Sequence, residues 1–103
     1  MNWNLYREQL ATGDTVQFRP KGNSMLPRIN SGDLVTVSPC SPEDIAKDDI
    51  VFCRVNGRYY VHLVQSVVRK LGGFRFQIGN MRKHTNGTVG EQAIFGKVVK
   101  VES

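Results

Sequence analysis

One serine and one histidine are the side chains of this sequence best suited to chemistry. Ser24 lies in Gly22-Asn-Ser-Met-Leu-Pro27, where flanking glycine and proline indicate a tight exposed loop. His62 lies inside an apolar run, Tyr60-Val-His-Leu-Val64. A serine hydroxyl is a weak nucleophile until a base takes its proton, and histidine, with an unperturbed pKa of about 6.5, suits that role. The pair raises the hypothesis of a serine protease, against the plainer reading of a turn serine and a structural histidine.

The sequence predicts mainly short strands as the elements that position Ser24 and His62. Alternation of apolar and polar residues predicts strands over 15–19, 33–38, 49–55, 58–69, 74–78 and 93–101. Asn56-Gly57 predicts a two-residue hairpin turn between the third and fourth of these. Residues 5–10 predict a short helix that ends near Thr12-Gly13, residues 41–47 predict a single helical turn, and residues 79–90 predict a polar loop.

This pattern predicts a mainly β, mostly antiparallel fold with a coiled or barrel-like sheet and little helix. The length of 103 residues fits one domain over 1–103, with 1–14 as an N-terminal extension that holds the short helix. On the fourth strand, His62 shares its face with Tyr60 and Val64, because side chains alternate between the faces of a strand. Trp3, Tyr6 and Leu10 of the extension are expected to pack on the domain.

Composition narrows the classes of protein and of partner. No run approaches the ~18 apolar residues of a membrane helix, and the N-terminus lacks the pattern of a signal peptide, so we expect a cytoplasmic protein without a transmembrane segment. Cys40 and Cys53 lack metal-ligand spacing, so we expect reduced structural thiols, no metal and no cofactor. The net charge of +5 is dispersed along the chain and no nucleic-acid-binding motif occurs, which argues against nucleic acid as the main partner.

Several blocks of the sequence resemble the peptidase core shared by LexA-type repressors and signal peptidases. In chain order they are Gly22-Asn-Ser-Met-Leu-Pro27, Gly32-Asp-Leu-Val35, Asp49-Ile-Val-Phe52, Tyr60-Val-His-Leu-Val64 and Gly96-Lys-Val-Val99. The resemblance covers about residues 15 to 101. It implies a coiled, mostly antiparallel β fold, a serine nucleophile at Ser24 and a catalytic base at the position of His62.

The site combines features of different branches of this superfamily. A histidine base resembles the endoplasmic-reticulum and archaeal signal peptidases, whereas Gly22, two residues before the serine, resembles the repressors. Signal peptidases usually have a serine there, and its hydroxyl helps to hold the oxyanion. Because Gly22 has no side chain, the resemblance implies that the backbone N–H of Ser24 does more to hold the oxyanion in this chain. Where the histidine branch carries aspartates, this chain has Asn80 and, at the expected second position, Asn86.

An asparagine can orient a histidine but cannot neutralise its charged form. Asn80 and Asn86 are therefore the candidates for a third member of the site, and His84 is a further polar alternative. The chain has neither the Ala-Gly nor the Cys-Gly bond at which repressors cut themselves, and only a short segment precedes Ser24. We accordingly expect cleavage of another chain rather than of itself.

Three functional hypotheses follow. The first is a soluble serine endopeptidase whose peptide or protein substrate adds as an extended strand, beside residues 15–18 or 32–35. The candidate substrate-binding residues of this peptidase are Met25, Leu26, Val16 and Phe18. The resemblance implies that small residues are favoured beside the cut.

The second hypothesis is an inactive module of the same fold that binds a peptide or a partner protein. The third is a basic accessory protein that associates with nucleic acid. Substrate identity and oligomeric state do not follow from the sequence.

Overall fold

A computed structural model describes residues 1–103 and shows one helix and a single antiparallel sheet of seven strands. The elements, in chain order, are α1 (Trp3–Ala11), β1 (Val16–Phe18), β2 (Leu34–Ser38), β3 (Ile50–Val55), β4 (Arg58–Lys70), β5 (Gly73–Gly79), β6 (Thr85–Gly90) and β7 (Ile94–Glu102). Short 3-10 turns lie at Pro42–Asp44 and Glu91–Ala93. The mainly β fold class is confirmed, and the sheet stays open rather than closing into a barrel.

The order of the strands in the sheet is β1-β2-β7-β3-β4-β5-β6. The long strand β4 joins its two halves: Arg58–Leu63 pairs with β3, and Leu63–Lys70 pairs with β5. The β3–β4 turn has the predicted form, with positive φ at both Asn56 (50°) and Gly57 (82°). Because β5 begins to pair only at Leu63, residues 58–62 of β4 have no strand partner on the side away from β3.

Residues 85–90 form strand β6, so the prediction of a polar loop over the whole of 79–90 is wrong in its second half. β6 pairs with β5 from Arg75 to Gly79 and lies at the edge of the sheet. The segment Thr-Asn-Gly-Thr-Val-Gly has little apolar alternation, since Val89 is its one large apolar side chain and none of its residues is fully buried. Backbone pairing with β5, rather than burial of large side chains, therefore defines this strand.

Two clusters of buried side chains lie on opposite faces of the sheet. Phe52 belongs to the first cluster, whereas its neighbours Val51 and Cys53 belong to the second, as the alternation of a strand requires. The first cluster is Leu10, Val16, Phe18, Met25, Ile29, Val35, Val37, Ile50, Phe52 and Val61. The second is Ile45, Val51, Cys53, Val55, Val64, Phe76 and Ile78.

Helix α1 packs over the first cluster. The side chain of Asn2 caps it by accepting a hydrogen bond from the N–H of Leu5 at 3.1 Å. Leu10 is buried in the cluster, and Trp3 and Tyr6 pack against it, which confirms the expected role of these side chains. Trp3 lies 5.3 Å from Phe18 and 5.5 Å from Phe52, measured between ring centroids. Helix α1 is far too short and polar to cross a membrane, and no other α-helix is present.

Candidate active site

The loop that carries Ser24 is fixed at several points. Ile29 and Met25 bury their side chains in the first cluster, and the N–H of Ile29 donates to the carbonyl of Met25 at 2.9 Å. The N–H of Gly22 donates to Ser31 Oγ at 3.1 Å, and the carbonyl of Ser24 accepts from the N–H of Met81 at 3.0 Å. Core side chains and hydrogen bonds to neighbouring segments thus hold the serine in a defined place.

Ser24 and His62 lie within hydrogen-bonding distance. The distance from Ser24 Oγ to His62 Nε2 is 3.1 Å. His62 is only 7% exposed and lies on β4 opposite Val51, with its ring 4.7 Å from the ring of Tyr60. The ring therefore has little freedom to leave the serine. This is the geometry of a nucleophile and a general base.

Asn86 lies on the other side of the imidazole. Its Oδ1 is 2.7 Å from His62 Nδ1. An amide oxygen can only accept, so this contact requires the proton on Nδ1 and leaves the lone pair of Nε2 directed at Ser24. In that tautomer Ser24 Oγ–H donates to His62 Nε2, and His62 Nδ1–H donates to Asn86. The arrangement is a Ser-His-Asn chain of hydrogen bonds.

Burial favours the neutral form of His62. It lowers the pKa of the imidazole, the hydrogen bond to Asn86 partly opposes this by raising the pKa, and the charge of nearby His84 lowers it further. The net shift is downward from 6.5. A histidine must be neutral to accept a proton, so the environment favours the form that a general base requires.

Asn80, one of the two sequence alternatives, makes no hydrogen bond to His62. Its Oδ1 accepts from the N–H groups of Arg82 and His84, at 2.9 and 3.1 Å, and so shapes the turn after β5. His84 is exposed and takes part through its backbone, whose carbonyl accepts from the N–H of Asn80. Of the three polar candidates, the structure brings only Asn86 into contact with the imidazole.

A cleft of about 340 Å³ opens beside Ser24 and His62. One side is formed by the segment Pro20–Gly22, the other by Tyr59–Val61 of β4, and Trp3 of α1 contributes to the lining. Met25 and Ile29 also line it. Lys21 is the only lysine or arginine in the lining, and no carboxylate contributes.

Three of the expected substrate-binding residues do not line this cleft. Val16 and Phe18 are only 5% and 4% exposed, because both point into the first cluster. Leu26 is 36% exposed but is not part of the lining. Of the four, Met25 alone lines the cleft.

The segments expected to receive a substrate strand, 15–18 and 32–35, do not border the cleft. In β2, Val35 is paired on both sides, with Phe18 and with Val101, so it offers no free edge. β1 is an edge strand, but it supplies no residue to the cleft. The free edge that borders the cleft belongs to residues 58–62 of β4.

The backbone around Ser24 offers a hydrogen-bond donor. The N–H of Ser24 donates to no other group of the protein, whereas its carbonyl is engaged by Met81. Gly22 has a φ of +114°, in the left-handed region that favours glycine. The serine that signal peptidases have at this position would be strained here, which gives a physical reason for the glycine. With glycine at position 22, the unpaired N–H of Ser24 is the donor that the backbone offers to a developing oxyanion.

The remaining reactive groups lie outside this arrangement. Burial raises the pKa of Cys53 to about 12, and it also raises that of Cys40. Neither thiol lines the cleft. No three His, Cys, Asp or Glu side chains come together as a set of metal ligands. The reactive and hydrogen-bonded groups that meet beside the cleft are therefore those of Ser24, His62 and Asn86.

Sequence reasoning missed the contribution of Trp3, Tyr59 and Tyr60 to the cleft. The sequence predicts that Trp3 packs on the domain, and its side chain does pack against the first cluster as well. The alternation along β4 could have indicated the two tyrosines as residues of the cleft, because Tyr60 shares one face of the strand with His62 and Tyr59 shares the other with Val61. The position of Trp3 carries no such signal, since it depends on where α1 docks.

Comparison with protein families identifies one family for nearly the whole chain. A model of the family described as Peptidase S24-like matches residues 4–99, which is nearly the whole chain. The matched region includes the Ser24 loop, β4 with His62, and β6 with Asn86. No curated protein matches the chain.

Proposed function

The chain belongs to the Peptidase S24-like family, and we propose that it is a serine endopeptidase that cleaves an extended peptide segment. The observation that carries the proposal is the distance of 3.1 Å between Ser24 Oγ and His62 Nε2 in a family that implies a serine nucleophile. This is the contact that nucleophilic catalysis by serine requires. A burial-lowered pKa of the histidine and a free backbone N–H at the serine add support.

The proposed reaction follows from the protonation states of the site. Ser24 Oγ attacks the carbonyl carbon of the scissile bond while His62 Nε2 takes the hydroxyl proton. The backbone N–H of Ser24 donates to the oxyanion that forms. His62 then gives its proton to the leaving amine, and an ester with Ser24 remains. Water, deprotonated by His62, hydrolyses this ester and regenerates the hydroxyl.

Asn86 orients the base in this scheme. Its Oδ1 accepts the Nδ1 proton of His62, which keeps Nε2 free to accept from Ser24. An amide carries no charge to offset the imidazolium that forms during the reaction. We therefore expect slower turnover than a carboxylate at this position would support.

The substrate is proposed to pair with the free edge of β4. Asp48 and Asp49 hydrogen-bond with Val64, so alternation along the strand directs the N–H and C=O of Tyr60 and His62 toward β3. Those of Tyr59 and Val61 then point to the unpaired side, where the cleft lies. An extended peptide lying there gains main-chain hydrogen bonds and passes the Ser24 hydroxyl.

A serine-reactive phosphonate probe tests the proposal. We expect mass spectrometry to locate the label on Ser24 of the folded protein, with no label in Ser24→Ala. His62→Gln removes the base, so labelling is expected to fall by a hundredfold or more. Ser103→Ala, an exposed serine at the C-terminal end, is the matched control and should react like the unaltered protein. Equal labelling of the unaltered protein and His62→Gln contradicts the proposed dyad.

One observation favours a second function, a peptide-binding module without turnover. Asn86 stands where a charge-stabilising carboxylate would be expected in the histidine branch. A module of this kind would bind peptides along the same edge of β4 and leave them intact. The two functions are separated by incubating a bound peptide with the protein: cleavage abolished by Ser24→Ala supports the peptidase, and stable binding without cleavage supports the module.

A further inference from the structure

Two β-bulges lie on either side of β5, next to the site. In β4, Val64 pairs with Ile78 and Ser66 pairs with Gln77, so Gln65 is an extra residue. In β6, Gly87 pairs with Ile78 and Thr85 pairs with Gly79, so Asn86 is an extra residue. Bulges occur beside active sites because they change the direction of a side chain.

The bulge in β6 determines which face of the sheet Asn86 reaches. Gly87 faces the second cluster, since a Cβ built on it would lie 2.9 Å from Val55 Cγ1. In a regular strand Asn86 would pair with Gly79 and point to the opposite face. His62 lies on the face of the second cluster, opposite Val51. The extra residue is therefore what lets Asn86 meet His62.

A side-chain network holds this bulge from the opposite face. Thr85 Oγ1 donates to Gln65 Oε1 at 2.8 Å and accepts from Gln77 Nε2 at 3.3 Å. Ser66 Oγ extends the network by donating to Gln77 Oε1 at 3.0 Å. Gln65 belongs to β4, the strand that carries His62, so the network connects β4 and β6 across β5.

Gly79 makes room for this connection. A Cβ at this position would lie 2.1 Å from Gln65 Nε2 and 2.4 Å from the carbonyl oxygen of His84. The side chain of Gln65 therefore crosses β5 where β5 has no side chain of its own. β6 is paired on one side only, so links of this kind limit its movement away from β4.

We propose that Thr85 is a positioning residue of the site: its hydroxyl, held by Gln65 and Gln77, fixes the β6 bulge and so keeps the Asn86 amide on His62. Thr85 makes no hydrogen bond to the imidazole and does not line the cleft, so it acts through Asn86. The inference rests on the proposed function of the same site. It concerns the tautomer and the position of the base, which are measurable without turnover.

The test compares Thr85→Val, which removes the hydroxyl and keeps the shape, with Thr85→Ser, which keeps the hydroxyl. NMR of ¹⁵N-labelled protein reports the His62 Nδ1–H signal and the His62 pKa. In Thr85→Val we expect that signal to broaden through faster exchange and the pKa to fall, because the hydrogen bond to Asn86 raises it. The Thr85→Ser protein should match the unaltered one. If peptides are cleaved, kcat should fall about fivefold in Thr85→Val, as for one lost hydrogen bond, with KM unchanged.

Thr88→Val is the matched control, because it makes the same change at an exposed position of the same strand whose side chain has no hydrogen bond to the protein. Gln65→Met removes the hydrogen bond between Gln65 and Thr85. It replaces Thr85→Val in the test if that variant fails to fold, with the same changes expected in the His62 signal and pKa. The proposal is overturned if the His62 Nδ1–H signal and pKa in Thr85→Val, or in Gln65→Met, equal those in Thr88→Val. A chain that cleaves no peptide but shows the NMR shifts contradicts the proposed function and supports this inference.

Discussion

Asn86 Oδ1 lies 2.7 Å from Nδ1 of His62, although the two residues sit on strands separated by β5. The contact places a neutral acceptor behind a histidine whose other nitrogen lies 3.1 Å from Ser24 Oγ. An amide in this position can set the tautomer of the base without stabilising its charged form. The site thus has the geometry of a catalytic triad and lacks the charge of its third member, and the predictions below follow from that difference.

The first prediction concerns the missing charge. Asn86→Asp places a carboxylate on Nδ1, which favours the imidazolium and raises the pKa of His62. We expect kcat to rise about tenfold for each unit of this shift that is realised in the transition state. Peptide cleavage at pH values above the new pKa measures it. Asn80→Asp, the same change in the adjacent turn, should leave kcat unaltered, and a fall in kcat for Asn86→Asp would contradict the role given to Asn86.

The second prediction concerns pH. Burial lowers the pKa of His62 below 6.5, and the base acts when neutral, so activity should persist below pH 6.5 and fall only at the lowered value. The unfolded chain binds a proton near 6.5 while folded His62 does not, so its contribution to the free energy of unfolding decreases as pH falls from 6.5 to the folded pKa. Histidine NMR titration and denaturant unfolding at several pH values measure both effects.

Two variants, His84→Gln and His62→Gln, test the cause of the pH dependence. The charge of His84 lowers the pKa of His62, so its removal should raise that pKa toward the ordinary value. His62→Gln should remove the corresponding pH dependence of unfolding. A His62 that titrates above 6.5 in the unaltered protein would contradict the buried, neutral base.

The third prediction concerns the substrate as an added strand. N-methylation of a bound peptide at positions that face Tyr59 and Val61 removes main-chain hydrogen bonds to the free edge of β4. We expect affinity to fall roughly tenfold at every second position and to change little at the positions between. Binding to the Ser24→Ala protein, measured by calorimetry, avoids cleavage. A methylation profile without a two-residue period would argue against strand addition.

The fourth prediction concerns charge in the cleft. Lys21 is exposed, lines the cleft and takes part in neither of the two ion pairs of the protein. We expect peptides with an acidic residue near this position to be cleaved a few-fold faster than neutral analogues, the size of an exposed ion pair. Lys21→Glu should reverse the preference. Lys70→Glu, at the tip of the β4–β5 hairpin, changes the net charge by the same amount and should leave the preference unchanged. An equal effect of Lys21→Glu and Lys70→Glu would indicate that only long-range attraction acts on the peptide.

The local signals of the sequence were sufficient for most of the fold. Period-two alternation and the Asn56-Gly57 turn located β3 and β4, since both depend on neighbouring residues. β6 was missed because an edge strand rich in polar residues and glycine lacks that alternation. Alternation likewise shows only that one face of β1 is buried, and for Val16 and Phe18 that face packs in the core rather than in the cleft.

By itself, the sequence determined a mainly β chain of the peptidase type, with Ser24 on a glycine-containing loop and His62 on a long strand. Only the tertiary structure decided that Asn86, and not Asn80, meets the imidazole. The deciding contact depends on an extra residue in β6 that turns one side chain to the face of His62, and on the length of β5, which leaves the edge of β4 free. Strand register is set by pairing between distant segments, so the local pattern of residues predicts neither the extra residue in β6 nor the length of β5.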